Sequence, residues 1–356
     1  MNILSCAKEK VSRGARLNAE ELLALYEDND LLYLGESARK IKESKSGRKI
    51  FYTVNRHINL TNVCSANCPL CAYQCRSGDN RAFTLELADV EKILRNSAQV
   101  NEIHLVSSLH PDKDFDYYLG AVRLVKKYLP QVGINAFTPV EVVNFAQISG
   151  KSVAEILIAL KTAGVTSLAG GGAEILSDRV REIICPKKCS AKQWLEVMRT
   201  AHKLGLKTNA SMMFGHVETI EERIEHLIKL RDLQDETGGF MAMMLFPFHP
   251  ENTELGKKYN LRRVGSWEDL KMLALSRIAL DNFEHFKAFW IMLTLPIAQL
   301  ALSFGADDLD GTLGEEKIIH AAGAKSSTGI TCETLEKIIS ECGYQPTERD
   351  SFYREV

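Results

Sequence analysis

The chain has 356 residues, of which 45% are hydrophobic and 25% are charged, and its formal net charge is −2. This composition is typical of a globular protein with a large core, and the absence of a basic block excludes a nucleic-acid-binding surface. Residues 1–10 lack the apolar segment of a secretory signal, and nine cysteines in such a chain fit a reducing compartment. We therefore expect a cytoplasmic protein of one or two domains.

The first 50 residues are predicted to be helical. Leu22, Leu23 and Leu25 lead one helical segment, and a second runs from Asp30 to Lys45. Because this segment differs from the repeated plan that follows it, we expect residues 1–50 to form an N-terminal helical cap packed on the main domain, not a separate domain.

From residue 57 the chain repeats one plan, in which a short apolar strand is followed by a polar loop and an amphipathic helix. Several strands are continuous apolar runs, as in parallel sheets that are buried on both faces. The six clear strands are His57–Leu60, Glu102–Ser107, Ile134–Phe137, Thr166–Ala169, Lys207–Met212 and Phe240–Phe246. Two further units are predicted at Phe286–Leu293 and Leu300–Phe304.

The helices between these strands carry start and stop signals. Three pairs have the spacing of a capping box, namely Ser152 with Glu155, Ser190 with Gln193, and Thr219 with Glu222. Before the next strand, where a left-handed residue ends a helix, stand Gly164, Gly205 and Gly238. Alternating strands and helices predict an α/β fold with a parallel sheet and right-handed crossovers. Six to eight units predict a TIM-type (β/α) barrel, complete or nearly complete, over residues 51–310, with residues 311–356 as a C-terminal extension packed on it.

One stretch, Ala288 to Phe304, could be mistaken for a membrane span. It contains Thr294, Pro296 and Gln299 and is shorter than the ~20 apolar residues that a span needs. A buried strand, a turn at Pro296 and a buried helix explain it better, so we expect no membrane segment.

The loop after the first strand contains Cys64, Cys68 and Cys71 in the spacing C-x3-C-x2-C. Three thiolates on one short loop can hold three irons of a [4Fe-4S] cluster, which leaves the fourth iron free to bind a substrate. In barrels of this kind, chemistry takes place at the carboxyl ends of the strands, where this loop lies. The alternative is a structural zinc site with Cys75 as a fourth thiolate. Its spacing fits poorly, because zinc ribbons have two separated C-x2-C pairs.

Other candidate side chains follow the other strands. They are Ser107, Ser108 and His110 after the second strand, Gly170 to Glu174 after the fourth, Gly215, His216 and Glu218 after the fifth, and His249 after the sixth. The glycine run is either a flexible turn or a close backbone approach to a ligand, with Glu174 available to a ribose hydroxyl. A single histidine is usually structural, but three at one barrel mouth can hold a carboxylate or relay a proton.

The cysteine spacing resembles the signature of the radical S-adenosylmethionine superfamily. The resemblance implies that S-adenosylmethionine binds the open iron and that one electron from the cluster releases a 5′-deoxyadenosyl radical. It also implies cofactor contacts from Gly215 and Glu218, whose G-x-x-E element matches an adenine-contacting segment. Ser107 and Ser108 replace a glycine pair that binds the methionine amino group. The residue before the third cysteine is usually aromatic; here it is Leu70, and Tyr73 is the nearby substitute.

Longer runs narrow the resemblance to one branch. Asn55 to Cys64 is similar to the two futalosine-pathway radical enzymes and the deazaflavin-cofactor synthases. Phe304 to Thr312 and Glu315 to Lys317 are similar to the aminodeoxyfutalosine synthases of menaquinone biosynthesis. The resemblance implies a transferase that adds the radical to 3-[(1-carboxyvinyl)oxy]benzoate and yields 6-amino-6-deoxyfutalosine, methionine and bicarbonate. Its expected partner is a one-electron reductant of the flavodoxin or ferredoxin type.

That substrate carries two carboxylates, so we expect cationic or hydrogen-bonding groups around it. The candidates for substrate binding are Arg56, His110, His216, His249 and Lys287. His249 and Glu174 are also the candidate catalytic residues. Two other interpretations stay open, namely a cyclase of the cyclic dehypoxanthinyl futalosine synthase type, which abstracts hydrogen, and a non-catalytic metal-binding protein. The choice between transferase and cyclase depends mostly on the tail.

Overall fold

Ten parallel strands form one sheet in the computed structural model, which describes residues 2–97, 99–312 and 316–356. The strands are β1 (Lys49–Thr53), β2 (Asn55–Asn59), β3 (Glu102–Val106), β4 (Gly133–Ala136), β5 (Ser167–Leu168), β6 (Lys207–Phe214), β7 (Phe240–Pro247), β8 (His285–Lys287), β9 (Asp308–Gly311) and β10 (Gln345–Glu348). Their order in the sheet is β10-β1-β9-β8-β7-β6-β5-β4-β3-β2. From β2 to β9, each strand therefore lies beside the next strand in the chain.

Helices precede the sheet and connect its strands. Before β1 lie α1 (Ile3–Ser12), α2 (Ala19–Asp28) and α3 (Leu31–Ser46). Between β2 and β7 lie α4 (Leu87–Arg95), α5 (Phe115–Tyr128), α6 (Pro139–Ser149), α7 (Val153–Ala163), α8 (Asp178–Ile184), α9 (Ala191–Lys203) and α10 (Ile220–Thr237). After β7 lie α11 (Glu254–Tyr259), α12 (Ser266–Ala279), α13 (Trp290–Leu293), α14 (Leu295–Ala301), α15 (Ile318–Ala322) and α16 (Cys332–Glu341).

The sheet curls into a barrel that is joined at Val54. This single residue separates β1 from β2, although the two strands lie near opposite ends of the sheet order. The sheet must therefore curl until these ends meet. Val54 accepts a hydrogen bond from the backbone N–H of Asn101 (2.7 Å), and Thr53 accepts one from Thr312 (3.1 Å). The predicted α/β fold with a TIM-type barrel is confirmed.

Apolar strand residues pack against the helices on the outside of the barrel. Ile58 of β2 and Leu105 of β3 are buried in one cluster with Val90 of α4. Side chains alternate along a strand, so His57 and His104, the neighbours of these residues, face the barrel interior. The inner face of this part of the sheet is therefore polar.

The predicted helix boundaries are confirmed where capping signals were present. Capping boxes begin α7 at Ser152, α9 at Ser190 and α10 at Thr219. Gly164 and Gly238 end α7 and α10 in the left-handed conformation, with φ of 118° and 58°. These local signals act within one turn of each helix, which is why the sequence alone identifies them.

The last two predicted units needed correction. β8 ends at Lys287, and the rest of the predicted strand Phe286–Leu293 is helical from Trp290. Leu300–Phe304 contains no strand; it forms the end of α14 and a 3₁₀ turn at Leu302–Phe304, which agrees with the buried helix predicted after Pro296. The next strand is β9, whose sequence Asp-Leu-Asp-Gly has no apolar run. Pro296 lies inside α14 and is not at a turn. Glu315, quoted above for the tail, lies outside the described residues.

The amino-terminal segment contains the two predicted helices, α2 and α3, and one that was not predicted, α1. Ala7 of α1 is buried, and Leu4 and Val11 of the same helix pack against the same core. The Tyr26 hydroxyl of α2 donates to Glu268 of α12 (2.9 Å), and Lys271 of α12 donates to Asn29 (2.9 Å). This segment therefore packs on α12, on the outside of the barrel.

Within the described ranges, no single helix is long and apolar enough to cross a bilayer. The consecutive helices α6 and α7 reach the required length and composition only as a pair, and they are bent by 108° relative to each other.

A candidate active site at the carboxyl ends of the strands

The three-cysteine loop follows β2 and is fixed to three other parts of the chain. Its backbone hydrogen bonds join Ser65 N to Leu109 O (2.8 Å), Leu70 N to Ile184 O (3.4 Å), and Leu255 N to Pro69 O (2.9 Å). These partners lie after β3, at the end of α8 and at the start of α11. The loop therefore lies at the carboxyl face of the barrel, as expected from its position after the first predicted strand.

Cys64, Cys68 and Cys71 form no disulfide, and Cys64 and Cys71 are only partly buried. Burial raises the pKa of Cys68 to about 12, and the nearby Lys188 ammonium opposes this increase. Burial also raises the pKa of Cys71, again against Lys188. Among the described residues, no three His, Cys, Asp or Glu side chains converge on a position for a single metal ion. In a [4Fe-4S] cluster each thiolate binds its own iron, so this donor set fits a cluster and needs no convergence on one ion.

Cys75 lies on the same loop but has partners of its own. Its Sγ accepts a hydrogen bond from Asn62 Nδ2 (3.3 Å), and its thiol points to the carbonyl of Tyr73 (3.9 Å). Its backbone carbonyl also accepts from Cys64 N (3.0 Å), so Cys75 supports the backbone that carries the first of the three predicted ligands. This packing is consistent with the prediction that Cys75 is not a cluster ligand.

Ser107, at the end of β3, is held by a residue that the sequence did not single out, Glu141. The backbone N–H groups of Ser107 and Thr138 both donate to the Glu141 carboxylate, at 2.7 Å each. Burial raises the pKa of Glu141 to about 7. The Ser107 hydroxyl donates to the carbonyl of Ser108 (3.1 Å). Glu141 thus joins the ends of two neighbouring strands next to the cysteine loop.

The glycine turn after β5 is shaped by close contacts with other parts of the chain. A Cβ on Gly170 would lie 2.7 Å from the backbone oxygen of Asn209, so the close approach at this residue is to β6. The turn places Glu174 in the left-handed region (φ 46°), a conformation that a residue other than glycine seldom adopts. Its buried carboxylate forms an ion pair with Lys188 (2.6 Å). Burial alone would raise the pKa of Glu174, but the Lys188 ammonium lowers it below its usual value.

Lys188 connects this turn to the cysteine loop, and no pattern in the sequence points to it. It stands between Lys187 and Cys189 in a short connection that reads as an ordinary surface loop. Its ammonium is nevertheless buried, and although burial lowers its pKa, Glu174 and the thiol of Cys68 raise it well above the usual value. Lys188 therefore remains a cation beside the three-cysteine loop.

Glu218 fixes the backbone of the segment that follows β6. Its carboxylate accepts from the backbone N–H groups of Gly215 (2.6 Å) and His216 (2.9 Å) and forms an ion pair with Arg223 (2.7 Å). Burial alone would raise the pKa of Glu218, but His216, Arg223 and these N–H groups lower it to about 2. Glu218 therefore holds the loop and uses its own carboxylate to do so. In the predicted adenine-contacting segment, the backbone at Gly215 is the part left to meet a ligand.

The three predicted histidines differ in their surroundings. His216 is buried and lies 2.7 Å from Glu218. His249, after β7, is also buried, and its Nε2–H donates to the carbonyl of Met292 (3.1 Å). His110 accepts from the backbone N–H of Asp112 (3.1 Å) in the loop after β3. Burial lowers the pKa of both His110 and His249, so both rings favour the neutral form.

The two predicted cationic residues lie in different places. Lys287, at the end of β8, faces the barrel interior and forms a buried ion pair with Asp310 of β9 (2.7 Å). Arg56, near the start of β2, donates to Asn96 O (3.2 Å) and Ser97 Oγ (2.9 Å) beyond the end of α4. Arg56 therefore faces the helical layer, because it shares the side of the strand that carries Ile58. The structure does not bring it to the other candidates.

Two family models and several characterised relatives match this chain over most of its length. The model of the radical SAM superfamily matches residues 58–230, and the model of the CofH/MqnC C-terminal region matches residues 237–356. The chain is 42% identical to an aminodeoxyfutalosine synthase from Thermus thermophilus, over 98% of this chain and 94% of that protein. It is 38% identical to one from Streptomyces coelicolor, over 97% and 92%.

A relative with a different name is nearly as similar. The 5-amino-6-(D-ribitylamino)uracil–L-tyrosine 4-hydroxyphenyl transferase 2 of Methanosarcina barkeri is 38% identical, over 98% of this chain and 91% of that protein. Among solved structures, methylornithine synthase (PylB) has a TM-score of 0.75 at 18% identity, over 96% of this chain and 97% of that one. The hydrogenase maturase HydG has a TM-score of 0.76 at 16% identity, over 97% and 76%. These two structures share the fold.

Proposed function

Because this chain belongs to the radical S-adenosylmethionine superfamily, in the branch that contains the aminodeoxyfutalosine synthases, we propose that it is an aminodeoxyfutalosine synthase. It would join the 5′-deoxyadenosyl group of S-adenosylmethionine to 3-[(1-carboxyvinyl)oxy]benzoate, giving 6-amino-6-deoxyfutalosine, methionine and bicarbonate. The observation that carries this proposal is the similarity to the two synthases over almost the whole chain. The three-cysteine loop at the carboxyl end of β2 supports it chemically.

In this proposal, Cys64, Cys68 and Cys71 hold three irons of a [4Fe-4S] cluster. The bound cluster supplies the electron that cleaves the sulfonium bond of S-adenosylmethionine. The buried Lys188 ammonium favours the thiolate forms that ligation requires. The backbone bonds to Leu109, Ile184 and Leu255 keep the three sulfurs in place, so the loop does not have to be ordered when the cluster binds.

The cofactor itself would lie across the ends of β3 to β6. Ser107 and Ser108 are positioned by Glu141 to meet the methionine amino group, and Glu174, oriented by Lys188, is available to a ribose hydroxyl. The backbone at Gly215, fixed by Glu218, offers a surface for adenine. The Lys188–Glu174 ion pair has no net charge, so it would bind polar groups without adding charge to this part of the site.

His249 would act on the acceptor substrate. Its Nε2–H is used by the Met292 carbonyl, so a neutral ring presents an unprotonated Nδ1. Such an Nδ1 accepts a hydrogen bond and cannot donate one to a carboxylate. Burial lowers the pKa of His249. The negative charge of a carboxylate beside the ring would raise this pKa again, and only the protonated ring can donate from Nδ1. His249 would therefore hold a carboxylate only after Nδ1 takes up a proton, and it could then return that proton.

A second candidate function is supported by the similarity to the tyrosine transferase of Methanosarcina barkeri. In that case the chain would act on L-tyrosine and a ribitylaminouracil. A cyclase that abstracts hydrogen and a non-catalytic metal-binding protein are the remaining alternatives. In the proposed reaction the 5′ carbon of S-adenosylmethionine becomes bonded to the acceptor, and the alternatives are separated from one another by the acceptor that each consumes.

The experiment follows that carbon. The reconstituted protein is supplied, without oxygen, with a strong reductant, S-adenosylmethionine labelled with carbon-13 at the 5′ position, and one acceptor at a time. The acceptors are the enol-ether benzoate, L-tyrosine with the ribitylaminouracil, and dehypoxanthinyl futalosine. We expect the label in 6-amino-6-deoxyfutalosine, with bicarbonate released, from the first acceptor only. Label recovered as 5′-deoxyadenosine with the benzoate unchanged would refute the proposal, and turnover of tyrosine would replace it with the second candidate.

A further inference from the structure

A row of polar side chains crosses the inner face of the barrel below the cysteine loop. His57 of β2, His104 of β3, Asn135 of β4 and Ser167 of β5 are paired in register across four neighbouring strands. Paired residues of neighbouring strands project to the same face of a sheet. The residues before and after them in β3 and β4, such as Leu105 and Ile134, are buried against the helices. The row therefore projects inward.

Several polar atoms of this inner face lack hydrogen-bond partners within the described part of the chain. They are His104 Nε2, Asn135 Oδ1 and Ser167 Oγ in the row, and Asn59 Oδ1 and Asn209 Oδ1 on the same inner face. All five atoms are buried. Buried polar atoms in folded proteins nearly always have a partner, and an unpaired one costs free energy. Such a group of atoms on one face indicates a ligand site.

The histidine pair determines which kind of group this site can bind. His57 Nε2 and His104 Nδ1 are 3.2 Å apart, so one of them donates to the other. Burial lowers the pKa of both rings, and the neighbouring Lys287 acts in the same direction. In a neutral pair with His57 as donor, the proton of His104 is on Nε2. That buried N–H has no partner among the described residues and is available to an oxygen anion.

Charge and shape at this place suit an aromatic carboxylate. Within the described residues, both charges of the buried Lys287–Asp310 ion pair act on the two rings, and the Lys287 ammonium is the cation of that pair. Towards the mouth, the rings of Phe246 and Phe289 meet edge to face, with centroids 5.9 Å apart, and both are partly exposed. An aromatic ring packs well against such a pair.

We propose that the barrel interior binds a carboxylate of an aromatic acceptor substrate through His104 Nε2–H, with His57 holding His104 in the required tautomer. His104 is thus a substrate-binding residue, and His57 is a positioning residue. The proposal rests on the proposed function for the choice of a carboxylate as the ligand group. It does not depend on which reaction the radical undergoes.

Two amide replacements test the two ends of the His104 ring separately. His104→Gln places an amide near the position of Nε2 and loses the contact with His57. His104→Asn keeps a polar atom near Nδ1, within reach of His57, and removes the inner N–H. The probe is isophthalate, an aromatic dicarboxylate, titrated calorimetrically into the anaerobic, cluster-loaded protein with S-adenosylmethionine. His202→Asn is the matched control, because this histidine lies on the outer side of the sheet with both ring nitrogens paired to Thr237 and Thr208.

We expect isophthalate binding to weaken about ten- to hundredfold in His104→Asn, as for a lost hydrogen bond to a charged group, and less than about threefold in His104→Gln and in the control. If the pair were only structural, the order of the two His104 variants would be reversed, because Asn preserves the contact with His57. That reversal, or no binding of isophthalate to the unaltered protein, would overturn the proposal. Failure of the labelling experiment with this binding pattern intact would refute only the proposed reaction.

Discussion

The three loop cysteines share one role but differ in burial, and each is predicted to be necessary. Replacing Cys64, Cys68 or Cys71 by alanine removes one of three iron ligands, so we expect loss of the four-iron cluster in each variant. Anaerobic reconstitution followed by iron and sulfide determination measures this directly.

Cys75→Ala is the matched control for these variants, because it removes a thiol from the same loop. We expect full iron and sulfide content, since the Cys75 thiol is already paired with Asn62 and Tyr73. Retention of the cluster in Cys71→Ala together with its loss in Cys75→Ala would show that the ligands are wrongly assigned.

His249 is predicted to affect the acceptor substrate more than the cofactor. His249→Ala should lower turnover of the enol-ether benzoate about ten- to hundredfold, the effect of about 1.5–3 kcal/mol for a lost hydrogen bond to a charged group. Binding of S-adenosylmethionine should change less, which equilibrium binding measures separately.

His249→Gln separates this role from a structural one. Its amide can still donate to the Met292 carbonyl but lacks an equivalent of Nδ1. We expect it to be as inactive as His249→Ala while unfolding at the same temperature as the unaltered protein. Wild-type kinetics in either variant would remove His249 from the site.

Some residues of the site could be predicted from sequence and others could not, for a physical reason. Cys64 to Cys71 are close in sequence, so their spacing alone predicts a shared ligand. Lys188 is recognisable only through Glu174 and Cys68, which reach it through the fold. Arg56 was expected at the site because of its charge, but the alternation of side chains along β2 directs it to the helical layer.

At the scale of single elements, the capping boxes give a quantitative expectation. Ser152→Ala removes the side chain that accepts from Glu155 N at the start of α7. Loss of such a cap costs about 0.5–2 kcal/mol of unfolding free energy, which urea denaturation resolves.

Ser149→Ala provides the comparison, because this nearby serine bonds only to the carbonyl of Phe145 within its own helix. We expect its unfolding free energy to change by less than about 0.5 kcal/mol. Equal losses in the two variants would mean that the cap has no special contribution. Activity should be unchanged in both, because the bonds of the two serines go to Phe145 and Glu155 and not to the cysteine loop or to Glu141.

The sequence predicts Leu300–Phe304 both as a further strand-and-helix unit and as part of a buried helix after Pro296, and the structure has the helix. Leu300–Phe304 is a short apolar run, and periodicity cannot distinguish such a run from part of a buried helix. β9 was missed because Asp308 and Asp310 are unusual in a buried strand. Their charges are matched by Arg349 and Lys287, and the partner of Asp308 is 41 residues away in the chain.

For the whole molecule, the ion pair of Arg349 and Asp308 is predicted to make a large contribution to the free energy of unfolding. Both side chains are buried, at 2.7 Å, and Arg349 also donates its backbone N–H to Tyr52 of β1 (2.9 Å). Arg349→Ala leaves the Asp308 carboxylate buried without its cation, which costs about 3–5 kcal/mol. Thermal and urea unfolding would report this loss.

Arg354→Ala is a suitable comparison, because its ion pair with Asp350 is exposed and long, at 3.7 Å. We expect a loss below about 1 kcal/mol there. The double variant Arg349→Met with Asp308→Asn should recover part of the stability, because it removes both charges together. A single Arg349→Ala variant as stable as the unaltered protein would contradict this account.

The anchoring of the cysteine loop has a thermodynamic consequence. Since its backbone bonds reach the loop after β3, the end of α8 and the start of α11, the three sulfurs keep their arrangement only while these distant elements are folded together. By mass action, a ligand that binds only the folded chain stabilises it, and metal binding of this kind becomes part of the free energy of folding. Iron supply, oxygen and the unfolding temperature of the barrel are thereby coupled variables, so that oxidative loss of the cluster would expose the whole chain, and not merely its chemistry, to degradation.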